Sequence, residues 1–105
     1  MTDLEQRIDH ILAGRRSPCL AVSRAELVLL TGSNDRACRE AIAQLQGQGR
    51  PIVSVRKGYF LGDDDEVGRY KRREWRRIRS LAEKLKAFAP SLDRCLDEVQ
   101  FELGI

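Results

Sequence analysis

Few side chains in this sequence have the chemistry that catalysis or metal binding needs. The chain contains one histidine, His10, and three widely spaced cysteines, Cys19, Cys38 and Cys95, with no C-x-x-C pair. This spacing matches neither a disulfide framework nor a zinc site, and it favours reduced thiols in a cytoplasmic protein. The only acidic cluster, residues 63–66, is typical of the start of a helix and not of a catalytic carboxylate pair. We therefore expect that the protein is not an enzyme and that it binds neither a metal ion nor a cofactor.

Arginine and lysine are the more informative side chains. The formal net charge is only +3, but residues 69–86 contain nine basic and two acidic residues, and residues 23–58 contain six basic and three acidic residues. Residues 90–105 are net acidic. A basic block inside a modestly basic chain indicates a polyanion or an acidic partner.

The first thirty residues predict two helices separated by a short strand. Apolar residues at helical spacing indicate a first helix that ends near Gly14, and the apolar run 19–22 is short enough for a strand. Ser23 begins an S-x-x-E capping box, which starts a second helix running to about Leu30. In this helix, Leu27 and Leu30 are expected to face inward.

A glycine-containing turn at 31–33 leads into a third helix, which Asn34 can cap. On a helical wheel the two sides of this helix differ. The apolar side, expected in the core, contains Cys38, Ala41, Ile42 and Leu45. The opposite side, free to touch another molecule, contains Arg36, Arg39, Glu40 and Ala43.

Residues 51–61 predict a small β-hairpin. The alternating run 51–55 and the β-prone run 59–61 flank a turn at Arg56, Lys57 and Gly58, where glycine can adopt the positive φ of a tight turn. The tip of this hairpin is therefore basic.

Residues 63–105 predict two amphipathic helices. The first starts at the acidic run 63–66 and continues until Pro90 stops it, with Lys84 and Lys86 suited to the negative end of the helix dipole. Ser91 can cap the second helix, on which Phe101 points away from the apolar stripe.

The longer of these two helices has two unlike sides. Its apolar stripe is expected to pack either against residues 1–62 or against a second copy of the chain, and it includes Ile78, Leu81, Leu85 and Phe88. The far side presents Arg69, Arg72, Arg73, Arg76 and Arg79, with Trp75 at the flank. These arginines are either solvated or candidate phosphate contacts. The acidic start disfavours an anionic membrane as the partner.

Two short helices joined by a glycine turn and followed by a hairpin with a basic tip resemble the winged helix-turn-helix family. The closest resemblance is to the amino-terminal domain of biotin-operon-repressor-like proteins and small phage-encoded relatives, over about residues 3–62. The matching motifs are Ser23-Arg-Ala-Glu-Leu27, Gly32-Ser-Asn-Asp-Arg36, Ala41-Ile42-Ala-Gln-Leu45, Gly49-Arg-Pro-Ile52 and Lys57-Gly-Tyr-Phe-Leu61. Thr31 and Cys38 stand where the family usually has larger aliphatic residues.

The resemblance implies an α+β, mainly α fold: a winged helix-turn-helix domain at 1–62, with a three-helix core and a hairpin wing, and a helical extension at 63–105. It implies binding to double-stranded DNA through Asn34, Arg36, Arg39, Glu40, Arg56 and Lys57. Ser33 joins the arginines at 69, 72, 73 and 76 as a candidate phosphate contact. No biotin chemistry is implied, because the resemblance stops before the ligase domain of those proteins.

The expected function is that of a cytoplasmic bacterial, phage or prophage transcriptional regulator, acting as a homodimer through the carboxy-terminal helices. Two alternatives remain open. The chain could be a phage replication or packaging factor, or a winged-helix protein-interaction adaptor with Trp75 and Phe101 as anchors. No 18-residue apolar run is available to span a membrane.

Overall fold

The computed structural model describes residues 1–105 and is mainly helical, with one two-stranded antiparallel sheet. This confirms the predicted α+β, mainly α class. In chain order the elements are helices α1 (Asp3–Ala13), α2 (Arg24–Thr31) and α3 (Asp35–Gly47), strands β1 (Ile52–Val55) and β2 (Gly58–Leu61), and helices α4 (Asp64–Glu83) and α5 (Leu92–Leu103). The chain divides into a first unit, Met1–Val67, and a second unit, Gly68–Ile105. The division falls in the first turn of α4, a few residues after the predicted boundary.

The helices of the first unit begin at side-chain caps. Thr2 and Glu5 form a complete capping box on α1, which the sequence reasoning did not identify. Ser23 accepts a hydrogen bond from the Glu26 amide (3.1 Å), as expected, but the returning half of this box is absent. The Glu26 carboxylate binds Arg15 instead, at 2.9 Å. Asn34 caps α3 through the Ala37 amide at 2.8 Å.

The core of the first unit is aliphatic. It is formed by α1, α2 and α3, together with Val22 before α2 and Ile52 of β1. It contains Ile8, Leu12, Val22, Leu27, Cys38, Ala41, Ile42, Leu45 and Ile52. The predicted apolar side of α3 is therefore confirmed in full. Each large aliphatic side chain buried in this way contributes about 1.5–3 kcal/mol to the stability of the unit.

The expectation that Leu30 faces inward is wrong, because its relative exposure is 55%. The inward face of α2 is centred between Leu27, Val28 and Thr31, which places Leu30 at its edge. Thr31 is tolerated in the core because its hydroxyl donates a hydrogen bond to the Leu27 carbonyl at 2.6 Å.

Strands β1 and β2 pair from Ile52 opposite Leu61 to Val55 opposite Gly58, so the connecting turn has two residues. A third stretch of backbone joins the sheet at one residue. Val22 and Tyr59 exchange two backbone hydrogen bonds, of 2.8 and 2.9 Å. The longer strand predicted at 19–22 is wrong, since Pro18–Leu20 form a 3₁₀ turn, which begins at the fixed φ of proline.

Gly58 is required by a close backbone approach. Its φ is +152°, and a Cβ atom at this position would lie 2.0 Å from the Val22 carbonyl oxygen. Neither Arg56 nor Lys57 has a positive φ. The predicted positive φ at Gly58 is thus confirmed, and the missing side chain also makes room for the pairing of Val22 with the hairpin.

In the second unit, α4 ends at Glu83 and not at Pro90 as predicted. The backbone beyond Glu83 tightens into turns with hydrogen bonds to the third preceding residue, such as Leu85 to Ala82 (2.9 Å). Lys84 and Lys86 therefore lie beyond the helix. Ser91 precedes α5 but makes no side-chain capping hydrogen bond, contrary to expectation.

Trp75 and Arg79 also differ from the sequence expectation. Trp75 is buried, with 6% exposure, so it is not available as an anchor for a partner. The Arg79 guanidinium lies 5.6 Å from the centre of the Trp75 ring and pairs with Asp97. It also donates a hydrogen bond to Gln100 at 3.1 Å. Arg79 is thus the contact that joins α4 to α5, because its charge is satisfied by α5.

We expect Gly58→Ala to lower the free energy of unfolding by at least about 2 kcal/mol, because its Cβ would collide with the Val22 backbone, which cannot move aside. Gly47→Ala, at the last residue of α3 with no atom within 4 Å, is the control and should stabilise by about 0.5–1 kcal/mol. Urea denaturation followed by circular dichroism measures both. Equal stabilities of the two variants would contradict the close approach.

Candidate nucleic-acid interface

The outward side of α3 carries the residues expected to contact another molecule. Arg36, Arg39, Glu40 and Ala43 are all exposed, opposite the buried apolar side. Asn34 is exposed as well, although its side-chain oxygen is engaged in capping α3. Ser33 is half-buried, and its amide donates to the Thr31 hydroxyl at 3.2 Å.

The two arginines on this side are held by neighbouring carboxylates of the same helix. Arg36 pairs with Glu40 and Arg39 pairs with Asp35, each at 3.1 Å and each one helical turn apart. Pairs of this type in solvent are weak and exchange readily with other partners. The arginine side chains are thus held along the helix surface but remain available to a stronger anion.

Asp35 also joins α3 to α2. The Arg24 guanidinium binds the Asp35 carboxylate with two parallel hydrogen bonds, of which the Nε to Oδ1 bond is 2.8 Å. The hydrogen bond from Arg24 lowers the pKa of Asp35, with a further contribution from the Arg39 charge. In turn, Asp35 raises the pKa of Arg24.

Arg24 belongs to this candidate interface, although sequence reasoning did not identify it. The caps at Ser23 and Asn34 place Arg24 and Asp35 at the first positions of two helices. These two caps are the only indication of the positions of Arg24 and Asp35 that the sequence offers. They do not reveal that the two helix starts come together in the folded chain.

The starts of α2 and α3 and the hairpin line one open groove of about 870 Å³. The groove brings Arg56 and Lys57, at the hairpin tip, to the same concavity as Arg24 and Asp35. Lys57 Nζ donates to the Cys19 carbonyl at 3.0 Å, which holds this lysine against the first unit while leaving it exposed. The other residues that line the groove are Ser23, Ala25, Val28, Leu29, Ser54, Val55, Gly58 and Tyr59.

The groove and the outward side of α3 together form a surface with net positive charge. It contains the cations Arg24, Arg36, Arg39, Arg56 and Lys57 and the carboxylates Asp35 and Glu40. The chemistry available is the binding of anions by arginine forks and a lysine, together with polar contacts from Asn34 and Glu40.

The remaining candidate phosphate contacts lie in the second unit. Arg69, Arg72, Arg73 and Arg76 are exposed and share one side of α4, and Arg73 lies 5.2 Å from the centre of the Tyr70 ring. The apolar residues expected to pack, Ile78, Leu81, Leu85 and Phe88, are exposed in the single chain.

Comparisons with protein-family models, with curated proteins and with solved structures found no match for this chain. None of the helices combines the length and the apolar character that crossing a bilayer requires. No three His, Cys, Asp or Glu side chains are grouped so that they could hold a metal ion.

Since the folded pKa of Asp35 is lowered, its ion pairs contribute to stability at neutral pH, and this contribution is lost as the pH falls through that lowered pKa. We expect Arg24→Gln to raise the pKa of Asp35 towards its ordinary value, measured by NMR titration of the side-chain carboxyl carbon. Arg36→Gln is the control, because Arg36 pairs with Glu40. An Asp35 titration that is the same in the native protein and in Arg24→Gln would contradict the role given to Arg24.

Proposed function

We propose that the first unit is a winged helix-turn-helix and that the protein binds double-stranded DNA in a sequence-specific manner, as a small bacterial, phage or prophage regulator. In this proposal α2 and α3 form the helix-turn-helix, α3 is the recognition helix, and the hairpin is the wing. Support comes from the order of the elements and from the short turn at Gly32, whose φ of +72° ends α2.

The observation that carries the proposal is that the start of α3 and the basic hairpin tip line one positively charged groove. An α-helix fits the major groove of DNA, where an arginine can make two hydrogen bonds to guanine and a carboxylate can accept one from cytosine. Arg36, Arg39 and Glu40 supply these groups on α3. Arg56 and Lys57 then reach the neighbouring phosphates, which position the protein without reading sequence.

The ion pairs on α3 are compatible with this function. Asp35 and Glu40 keep the arginines in defined positions before binding, so less side-chain freedom is lost when DNA arrives. Because the pairs are exposed, exchanging a carboxylate for a phosphate or a base edge costs little.

The adaptor alternative has one feature in its favour. Phe101 is 87% exposed and could anchor a protein partner, whereas Trp75 is buried. Retention of one protein partner that is insensitive to salt, together with no affinity for DNA, would favour the adaptor. A replication or packaging factor would bind DNA too, and site selection distinguishes it from a regulator.

We expect binding to duplex DNA, measured by fluorescence anisotropy across a salt series, to weaken steeply as salt rises. Arg36→Ala/Arg39→Ala and Arg56→Ala/Lys57→Ala should each reduce the slope of log affinity against log salt by about one unit for every phosphate that the variant no longer neutralises. Base recognition by Arg36 or Arg39 should instead appear as relaxed site preference in the first variant.

Arg50→Ala is a matched control. Arg50 is an exposed arginine in a surface ion pair, like Arg39, but its partner is Asp9 of α1, and it belongs neither to the groove nor to the outward side of α3. It should leave affinity and slope nearly unchanged. If Arg50→Ala lowers affinity as much as Arg39→Ala, or if the native protein does not bind at low salt, the proposed interface is wrong.

A further inference from the structure

The middle of α4 concentrates positive charge far beyond the rest of the chain. Residues 69–80 contain seven basic side chains and one acidic side chain, a net charge of +6, whereas the whole chain has a net charge of +3. Four of the arginines form one surface, which we call the arginine face of α4. At 3.6 residues per turn these four fall within an arc of about 100°. The arginine face consists of Arg69, Arg72, Arg73 and Arg76, which are all exposed.

Three of the four arginines have no counter-ion within the chain. Arg69, Arg72 and Arg76 form no ion pair, while Arg73 approaches the Glu74 carboxylate at 3.8 Å. The acidic residues that begin α4 form no ion pair with them either. Among these acids, Glu66 exchanges two capping hydrogen bonds with Asp63, of 2.9 and 2.8 Å. The charge of the arginine face is therefore left to solvent or to an anion from outside the chain.

This arrangement of charge is unfavourable for an isolated helix. Positions three or four residues apart are neighbours on a helix surface, and like charges at this spacing destabilise the helix. Arg69 has both Arg72 and Arg73 as such neighbours. The same two arginines lie three and four positions before Arg76. A polyanion lying along the face would relieve all of these repulsions together, whereas a single carboxylate would neutralise one arginine only.

Two of the arginines have defined surroundings that leave them accessible. The Arg73 guanidinium lies 5.2 Å from the centre of the Tyr70 ring, a stacking contact that favours one orientation of this side chain. The Arg72 guanidinium lies beside Gly68. A Cβ atom at position 68 would be 3.7 and 3.8 Å from the two terminal nitrogens of Arg72, so the missing side chain leaves this guanidinium uncovered there.

We propose that the arginine face of α4 binds the phosphate backbone of duplex DNA, as a second site in addition to the groove of the first unit. Arg69 and Arg76 are seven residues apart, about 10.5 Å along the helix axis. One strand of DNA has a phosphate about every 3.4 Å along its axis, so the face spans about three phosphates. Such contacts add affinity without reading sequence. The choice of duplex DNA as the polyanion rests on the function proposed for the first unit.

The composition of the arginine face favours nucleic acid over a membrane or a protein. No apolar residue lies among the four arginines, and Ile78 and Leu81 lie on the other side of α4. A helix that inserted this apolar side into a bilayer would direct the arginine face towards water. Interfaces between proteins are depleted of charge at their centre and enriched in aromatic and apolar residues, which this face lacks.

The test removes the three arginines that have no ion pair, as Arg69→Gln/Arg72→Gln/Arg76→Gln. No carboxylate loses a partner in this variant, so circular dichroism should show that its helix content is kept. Fluorescence anisotropy with a mixed-sequence duplex should show the slope of log affinity against log salt reduced by about 2–3 units, because each lost phosphate contact contributes about 0.9.

Lys84→Gln/Lys86→Gln/Arg94→Gln is the matched control. It removes the same positive charge from exposed positions of the same unit, outside the arginine face. The control should keep the slope of the native protein. If the α4 variant also has the native slope, or if the control reduces the slope equally, the arginine face does not bind DNA and the proposal is overturned.

A second background separates this proposal from the function proposed for the first unit. In Arg36→Ala/Arg39→Ala/Arg56→Ala/Lys57→Ala, salt-dependent DNA binding should persist, and it should be lost when the three α4 changes are added. A slope that only the α4 changes reduce would support the arginine face and contradict the interface of the first unit. A slope that only the first-unit changes reduce would do the reverse.

Chemical modification of arginine by phenylglyoxal, mapped by mass spectrometry, tests contact at single residues. Duplex DNA that binds most of the protein should slow the modification of Arg69, Arg72 and Arg76 by about fivefold or more. Arg94 of α5, which is exposed as well, should react at an unchanged rate. Equal protection of Arg94, or no protection of the α4 arginines, would contradict the site. Duplex RNA bound more than about tenfold more tightly than DNA of the same length would overturn the choice of DNA.

Discussion

The exchange of two backbone hydrogen bonds between Val22 and Tyr59 determines where the hairpin of the first unit lies. Val22 precedes α2 and is fully buried, so the hairpin is attached directly to the helical core. A two-stranded hairpin alone is marginally stable in water, and this attachment supplies the missing support. The approach is close enough to exclude any side chain at position 58. The basic tip at Arg56 and Lys57 is consequently held beside the start of α2.

The two units are stabilised in different ways. The first unit buries aliphatic side chains from three helices and a strand, and polar caps complete its helix starts. The second unit relies on one arginine that stacks on Trp75 and pairs with α5. A polar contact of this kind fixes the position of one helix against the other but adds little net stability, because an exposed ion pair is weak. The first unit therefore has a buried aliphatic core that the second unit lacks.

The electrostatics of the first unit depend on arrangement more than on total charge. Asp35 lies between Arg24 and Arg39 and pairs with both, so three charged groups from two helices act as one set. Asp35 thus orients Arg24 and Arg39, and the net charge of the three residues remains positive. Net charge alone, at +3, would not have indicated it. For a ligand with regularly spaced phosphates, the positions of the cations matter as much as their number.

Local features could be predicted from the amino-acid sequence, because they depend on residues close together in the chain. These features are the buried side of α3, the cap at Asn34, the short hairpin with its basic tip and the amphipathic helices of the second unit. Prediction failed where two neighbouring positions of one helix could each face the core. On α2, Leu30 was expected to be buried, but Thr31 is buried in its place. It also failed at Trp75, which is buried, and at Arg79, whose charge is satisfied by α5. The meeting of Arg24 with Asp35, and the hairpin that joins them in one groove, follow only from the folded chain, since residues distant in sequence become neighbours only when the core forms.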